Sequence, residues 1–118
     1  MLIVKYFYEK PRFVETYCVK DNSYGVSELK KINKKSLRRL TACGIYNSET
    51  NVLQIGVALC SPQDIFIKKE GAKLAYNRAL TNPVVEVELL EGERVSDIFF
   101  EQARFLCRRY DKLDTVKF

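Results

Sequence analysis

Gly56-Val57-Ala58-Leu59-Cys60-Ser61-Pro62-Gln63-Asp64-Ile65-Phe66 is the stretch on which the fold turns. Up to Cys60 it continues an apolar run that starts at Val52, and beyond Phe66 apolar residues recur at helical spacing, so the chain passes here from strand to helix. Ser61 and Asp64 are types that cap free helix amides, and Pro62 suits a first helical turn. A helix amino terminus attracts phosphate, because its amides point outward unpaired and its dipole is positive there. Capping by these side chains is the competing use of the same donors.

On the amino-terminal side, Thr41 to Tyr46 and Val52 to Leu59 read as strands joined by Asn47-Ser48-Glu49-Thr50-Asn51, residues that hydrogen-bond locally in turns. Leu2 to Tyr8 and Phe13 to Val19 form an earlier hairpin around Glu9-Lys10-Pro11-Arg12. After a break at Asp21-Asn22-Ser23-Tyr24-Gly25, residues Val26, Leu29, Ile32, Leu37 and Leu40 share one arc of a helical wheel, which predicts a helix from near Ser27. On the carboxyl-terminal side, a helix over Ile67 to Leu80 ends at Asn82-Pro83. A strand over Val84 to Leu90 follows, and Glu91-Gly92-Glu93-Arg94 leads into a helix from about Asp97 to Lys112. The expected fold is α+β in the order ββαββαβα: one domain over 1–118, with a mostly antiparallel five-stranded sheet and two to three helices packed on one face. The tail Thr115-Val116-Lys117-Phe118 either pairs with an edge strand or packs on another subunit.

A chain of 118 residues, 47% hydrophobic and 30% charged, suits one globular core, and its net charge of +5 favours anionic partners. The start Met1-Leu2-Ile3-Val4-Lys5-Tyr6 has no basic region before an apolar run, and no window holds 18 uninterrupted apolar residues, so neither a secretion signal nor a membrane span is expected. Cys18, Cys43, Cys60 and Cys107 form no CxxC pair, and there is no histidine to complete a zinc site. They read as reduced, buried small hydrophobes, and neither a metal nor another cofactor is expected.

Two arginines break the helical pattern. Arg78 falls on the apolar arc with Ile67, Gly71 and Leu74, where an unpaired guanidinium would be costly, so an anionic partner is expected. Gly71, Ala72, Leu74, Ala75 and Ala79 form the expected buried face, Gly71 permitting close approach, and Lys69, Glu70, Lys73 and Asn77 the wet one. In the last helix Arg109 lies inside the arc of Ile98, Phe99, Ala103, Phe105, Leu106 and Tyr110. Paired inner arginines beside aromatic rings suit a phosphate and a base. The alternative is that both snorkel to the surface or pair with Asp64, Glu86 or Glu88. The run Lys30-Lys31-Ile32-Asn33-Lys34-Lys35-Ser36-Leu37-Arg38-Arg39 is either a solvated helix face or a nucleic-acid footprint.

Catalysis has little support. Without histidine there is no Ser-His or Cys-His pair, and the carboxylates Asp64, Glu70, Glu86, Glu88, Glu91 and Glu93 lack metal-ligand spacing. The expectation is a binding protein, not an enzyme.

The pattern Gly-Val-Ala-x-Cys-Ser-Pro-x-Asp-x-Phe from Gly56, followed by Gly71, Ala75 and Arg78-Ala79, resembles small phage-encoded proteins. With the size, the element order and the paired arginines, it is similar to the phage Thoeris anti-defence sponges of the first type. The resemblance implies a homo-oligomer, in the cytoplasm of an infected bacterial host, that sequesters cyclic ADP-ribose isomers and in some members cyclic oligonucleotides without cleaving them. Phe66, Asn77 and Arg78 are carried over within the motif, while Lys73 joins Asn77 on the expected polar rim and Arg94 and Arg109 come from the residues alone. Many relatives open the helix after the phenylalanine with an acidic residue, where this chain has Ile67-Lys68-Lys69. The alternative function is a basic nucleic-acid-binding or host-protein-inhibiting phage protein that uses the Lys30 to Arg39 face.

Overall fold

The computed structural model describes residues 1–11, 13–21, 27–36, 38–61 and 65–116, and for 13–21, 27–36 and 111–116 the main chain alone. The fold is α+β. Strands β1 (Leu2–Tyr8), β4 (Arg39–Asn47), β5 (Val52–Cys60) and β6 (Val85–Glu88) form a four-stranded antiparallel sheet in the order β1-β4-β5-β6. Strands β2 (Phe13–Asp21) and β3 (Ser27–Ser36) pair only with each other, and the helices are α1 (Lys68–Thr81) and α2 (Val95–Val116).

Besides the main sheet having four strands rather than five, three expectations are corrected. The segment from Ser27 is strand β3 rather than a helix; Val26 and Leu37, on which the wheel partly rested, lie outside the described residues. A helix would set Lys30 beside Lys34 and Lys31 beside Lys35, like charges at i, i+4, each pair costing about 0.2–0.5 kcal/mol. In the ladder, Lys34 has Glu15 opposite and Lys20 has Glu28. Secondly, Leu2–Tyr8 and Phe13–Asp21 are not a hairpin. β1 pairs with β4, and the chain leaves the sheet after β1, runs out and back as β2 and β3, and returns at Arg39. The base of this excursion is tied down: Glu9 N–H donates to Leu40 O at 2.9 Å, Leu40 N–H to Glu9 Oε1 at 3.0 Å, and Arg39 Nε and Nη2 to Glu9 O at 3.1 and 2.9 Å.

Thirdly, the helices lie on opposite faces of the sheet. Leu40 and Ala42 of β4 and Leu53, Ile55 and Val57 of β5 pack with Phe99, Ala103 and Leu106 of α2. Cys43, Ile45 and Ala58, at the alternate positions, pack with Ala75 and Ala79 of α1. Successive strand residues point to opposite faces, so apolar residues at both parities demand two covers. Each helix is seated over a glycine. A Cβ on Gly44 would meet the Phe99 ring at 2.4 Å, and one on Gly56 would meet Ala79 N and Ala75 O at 2.2 and 2.3 Å.

The β4–β5 hairpin forms where the sequence places it. Asn47 Oδ1 accepts from Glu49 N–H at 2.9 Å, and Asn51 N–H donates to Asn47 O at 2.8 Å. Asn51 has φ +58, accepts from the Tyr46 hydroxyl at 2.6 Å and donates Nδ2 to Leu89 O at 2.6 Å. Asn51→Val would lose both side-chain bonds and put a β-branched residue in left-handed backbone. We expect it to lower unfolding free energy by about 2–3 kcal/mol in a denaturant titration.

Cys43 is buried and Cys60 and Cys107 are half-buried; the Cys18 side chain is outside the described residues. Burial pushes the Cys43 thiol from 9.0 to about 11, against a hydrogen bond with Tyr6 that pulls it down. Because the folded state holds this proton more tightly, the associated stability is intact below about pH 9 and lost as pH rises towards 11. Thermal melts of wild type should therefore fall across that interval, and Cys43→Ala should flatten the fall.

Candidate functional site

Helix α1 touches the sheet through a narrow line of small residues. Ala75 and Ala79 are buried and Gly71 and Ala72 half-buried, whereas Leu74 is 43% and Ile67 47% exposed. Leu74 is thus not part of the buried face. Ile67, Gly71, Leu74 and Arg78 instead form a row along the side of the helix, next to β5 where β6 has already ended.

Below this row is a half-open cavity of about 590 Å³, lined by Thr41 of β4, Ala58, Leu59 and Cys60 of β5, Ile65, Phe66 and Ile67 of the loop, and Glu70, Gly71 and Leu74 of α1. Most of its lining residues are apolar by type, while about half of its wall surface is polar. Phe66 is half-buried, and the Arg39 guanidinium carbon lies 3.7 Å from the centre of its ring. The same guanidinium donates twice to Glu9 O, so it is held in place on the ring. Glu70 sits in the first turn of α1, and Thr41 Oγ1, which is buried, has no hydrogen-bond partner among the described residues.

The start of α1 is not where Ser61 could cap it. The helix begins at Lys68 with Ile67 in the capping position and, among the described residues, no side-chain cap; Pro62 and Asp64 lie outside those residues. The first backbone bond inside the helix runs from Gly71 N–H to Ile67 O at 3.1 Å, so the amides of Lys68, Lys69 and Glu70 point towards the loop. On the β1 side, Lys68 Nζ lies 5.2 Å from the centre of the Tyr8 ring, and Tyr8 stacks with Tyr6 at 6.3 Å. Two cation–aromatic pairs, Phe66 with Arg39 and Tyr8 with Lys68, therefore flank the positive end of the helix.

Of the six residues singled out in the sequence, Phe66 lines the cavity. Arg78 stands one turn past Leu74, is exposed, and donates Nη1 to Val57 O at 2.8 Å. Among the described residues its hydrogen-bond partner is a main-chain carbonyl rather than an anion. Lys73 and Asn77 are exposed on α1. Arg94, just before α2, and Arg109, on α2, are both exposed on the layer across the sheet. Arg109 is therefore not an inner residue, Phe105 beside it is 60% exposed, and one chain does not bring Arg78 and Arg109 together.

Arg39, Tyr8, Lys68 and Thr41 were not singled out in the sequence. Arg39 was hidden inside a basic run assigned to a helix; its position immediately before the apolar strand Leu40–Ile45 was the available signal. No protein-family model, curated protein or solved structure matches this chain. No helix among the described residues is long and apolar enough to cross a membrane.

Proposed function

We propose that the protein captures a small nucleotide-type ligand at the cavity beside the start of α1, the ring of the ligand lying against Phe66 and its phosphate against the α1 amides and neighbouring cations. The observation that carries this reading is the combination in one place of a cavity of about 590 Å³, a fixed arginine–aromatic pair and a helix start with no side-chain cap among the described residues. Ligand pockets of roughly 300–1,000 Å³ with mainly apolar walls and a few polar groups are the usual form. Helix amides and a guanidinium favour phosphate, and an aromatic face favours a base. Taken with the motif from Gly56 to Ala79, the ligand class is a cyclic nucleotide immune signal, a cyclic ADP-ribose isomer or a cyclic oligonucleotide. It is sequestered uncleaved in the cytoplasm of an infected bacterium, by a protein working as an anti-defence sponge.

In this reading Arg78 serves the far end of the cavity, one helical turn beyond Leu74. Lys73 and Asn77 form the polar rim, and Arg94 and Arg109 contribute only through a second subunit of a homo-oligomer. Denaturing protein purified from an infected, signalling host and weighing the released small molecules should yield an intact cyclic nucleotide in proportion to chain. Release of linear product would indicate turnover, and release of no nucleotide would count against capture.

A further inference from the structure

The β2–β3 excursion is a separate feature with its own charge. Among the described residues, both strands make extended contact only with each other, and the molecule measures 71 × 32 × 20 Å. Ten residues of β3 at about 3.3 Å each make a ribbon of roughly 33 Å. Nine of the 20 Lys+Arg and three of the 15 Asp+Glu fall within 10–39, so this stretch carries +6 and the rest of the chain −1. The net positive charge of the protein thus belongs to the ribbon and its base.

The pairing register distributes the four β3 lysines. Lys35 opposes Val14 and Lys30 opposes Cys18 at one parity, while Lys34 opposes Glu15 and Lys31 opposes Tyr17 at the other. Cationic positions therefore occur on both faces of the ribbon. An apolar body would cover one face and strand those charges, whereas a polyanion with phosphates on either side complements both. The register shifts at Thr16/Tyr17 and leaves Ile32 unopposed, a bulge that increases local twist. A two-stranded ribbon fits the major groove of B-form DNA, about 12 Å wide, and roughly 33 Å is close to one turn of that duplex.

We propose that the β2–β3 ribbon is a nucleic-acid-binding arm that enters the major groove of duplex DNA, with Lys30, Lys31, Lys34 and Lys35 contacting phosphates on both groove walls. This is independent of the cavity and its ligand. If four phosphates are neutralised, affinity falls about 100-fold between 50 and 200 mM salt.

The experiment is fluorescence anisotropy of the full chain with a labelled 20-base-pair DNA, the equivalent RNA duplex and polyglutamate, at both salt concentrations. It includes a variant with Lys30, Lys31, Lys34 and Lys35 all changed to Gln. The paired variants K30Q/K35Q and K31Q/K34Q guard against misfolding of the fourfold variant, with circular dichroism of each. Expected are tight, steeply salt-dependent binding of DNA, weaker binding of RNA and polyglutamate, near-complete loss in the fourfold variant, and a partial loss in each folded pair. No DNA binding, binding unchanged by the substitutions, or RNA or polyglutamate bound as tightly as DNA would overturn the proposal.

Discussion

Gly56→Val should unfold the protein or lower its melting temperature by at least about 10 °C, the largest stability effect expected of any single substitution here. A Cβ at this position would meet Ala79 N at 2.2 Å and Ala75 O at 2.3 Å, both main-chain atoms of α1. Helix backbone cannot rotate away as a side chain can, so the whole helix would have to lift, withdrawing Ala75 and Ala79 from the sheet. Overpacking in a tight core costs about 1–3 kcal/mol and occasionally more, and this site belongs at or above the top of that range. For a domain of this size, about 3 kcal/mol corresponds to a fall of roughly 10 °C. Gly56→Ala adds the same Cβ and should cost nearly as much. Gly44→Ala supplies the contrast: its nearest neighbour is the Phe99 ring at 2.4 Å, a side chain that can shift, so a smaller loss is expected. A Gly56→Val protein melting within a few degrees of wild type would mean that α1 does not sit on β5 as described.

Phe66→Ala should weaken cyclic nucleotide binding by about 10- to 100-fold with little loss of stability, since stacking of a base on an aromatic ring contributes about 1–3 kcal/mol. Phe66 is only half-buried and belongs to neither core cluster, so the fold does not depend on it. Arg39→Ala should also weaken binding. Because the Arg39 guanidinium lies 3.7 Å from the Phe66 ring centre, the double variant should lose less than the two single losses combined. Strict additivity in calorimetric affinities would indicate that the two residues do not act as one platform.

How much of this was legible beforehand differs by region. The β4–β5 hairpin and α1 announced themselves through local signals: the turn at Asn47–Asn51, the changeover after Cys60 and the stop at Asn82-Pro83. The two-sided burial of the sheet was also written in the chain, in the near-continuous apolar residues of Leu40–Ile45 and Leu53–Cys60, but reading these as one-faced strands put both helices on one side. That error carried the pairing of Arg78 with Arg109, because two inner helical faces meet only if the helices share a side. The β3 half of the ribbon was misread because a wheel can be fitted to few apolar residues, and because Lys is a good helix former. What decided against the helix was non-local, the ladder to β2 some fifteen residues away, and no local pattern encodes it.

At the site, Phe66 was legible from the motif, whereas Arg39 came to it through the register that sets Arg39 opposite Cys60 at the edge of the cavity. Such a partner becomes visible only once strand pairing is known. The cleft also owes its opening to the shortness of β6, which ends its pairing at Ile55 and, among the described residues, leaves Ala58, Leu59 and Cys60 without a neighbouring strand on that side.

The most direct measurement is titration calorimetry of the intact protein with cyclic ADP-ribose isomers and cyclic di- and trinucleotides. Each mixture is recovered by chromatography and repeated with Phe66→Ala. Capture at the α1 cavity predicts saturable heat with at least one of these ligands, recovery of that ligand unchanged, and a loss of affinity in the variant. No heat with any of them from well-folded protein, or equal affinity without Phe66, would contradict it.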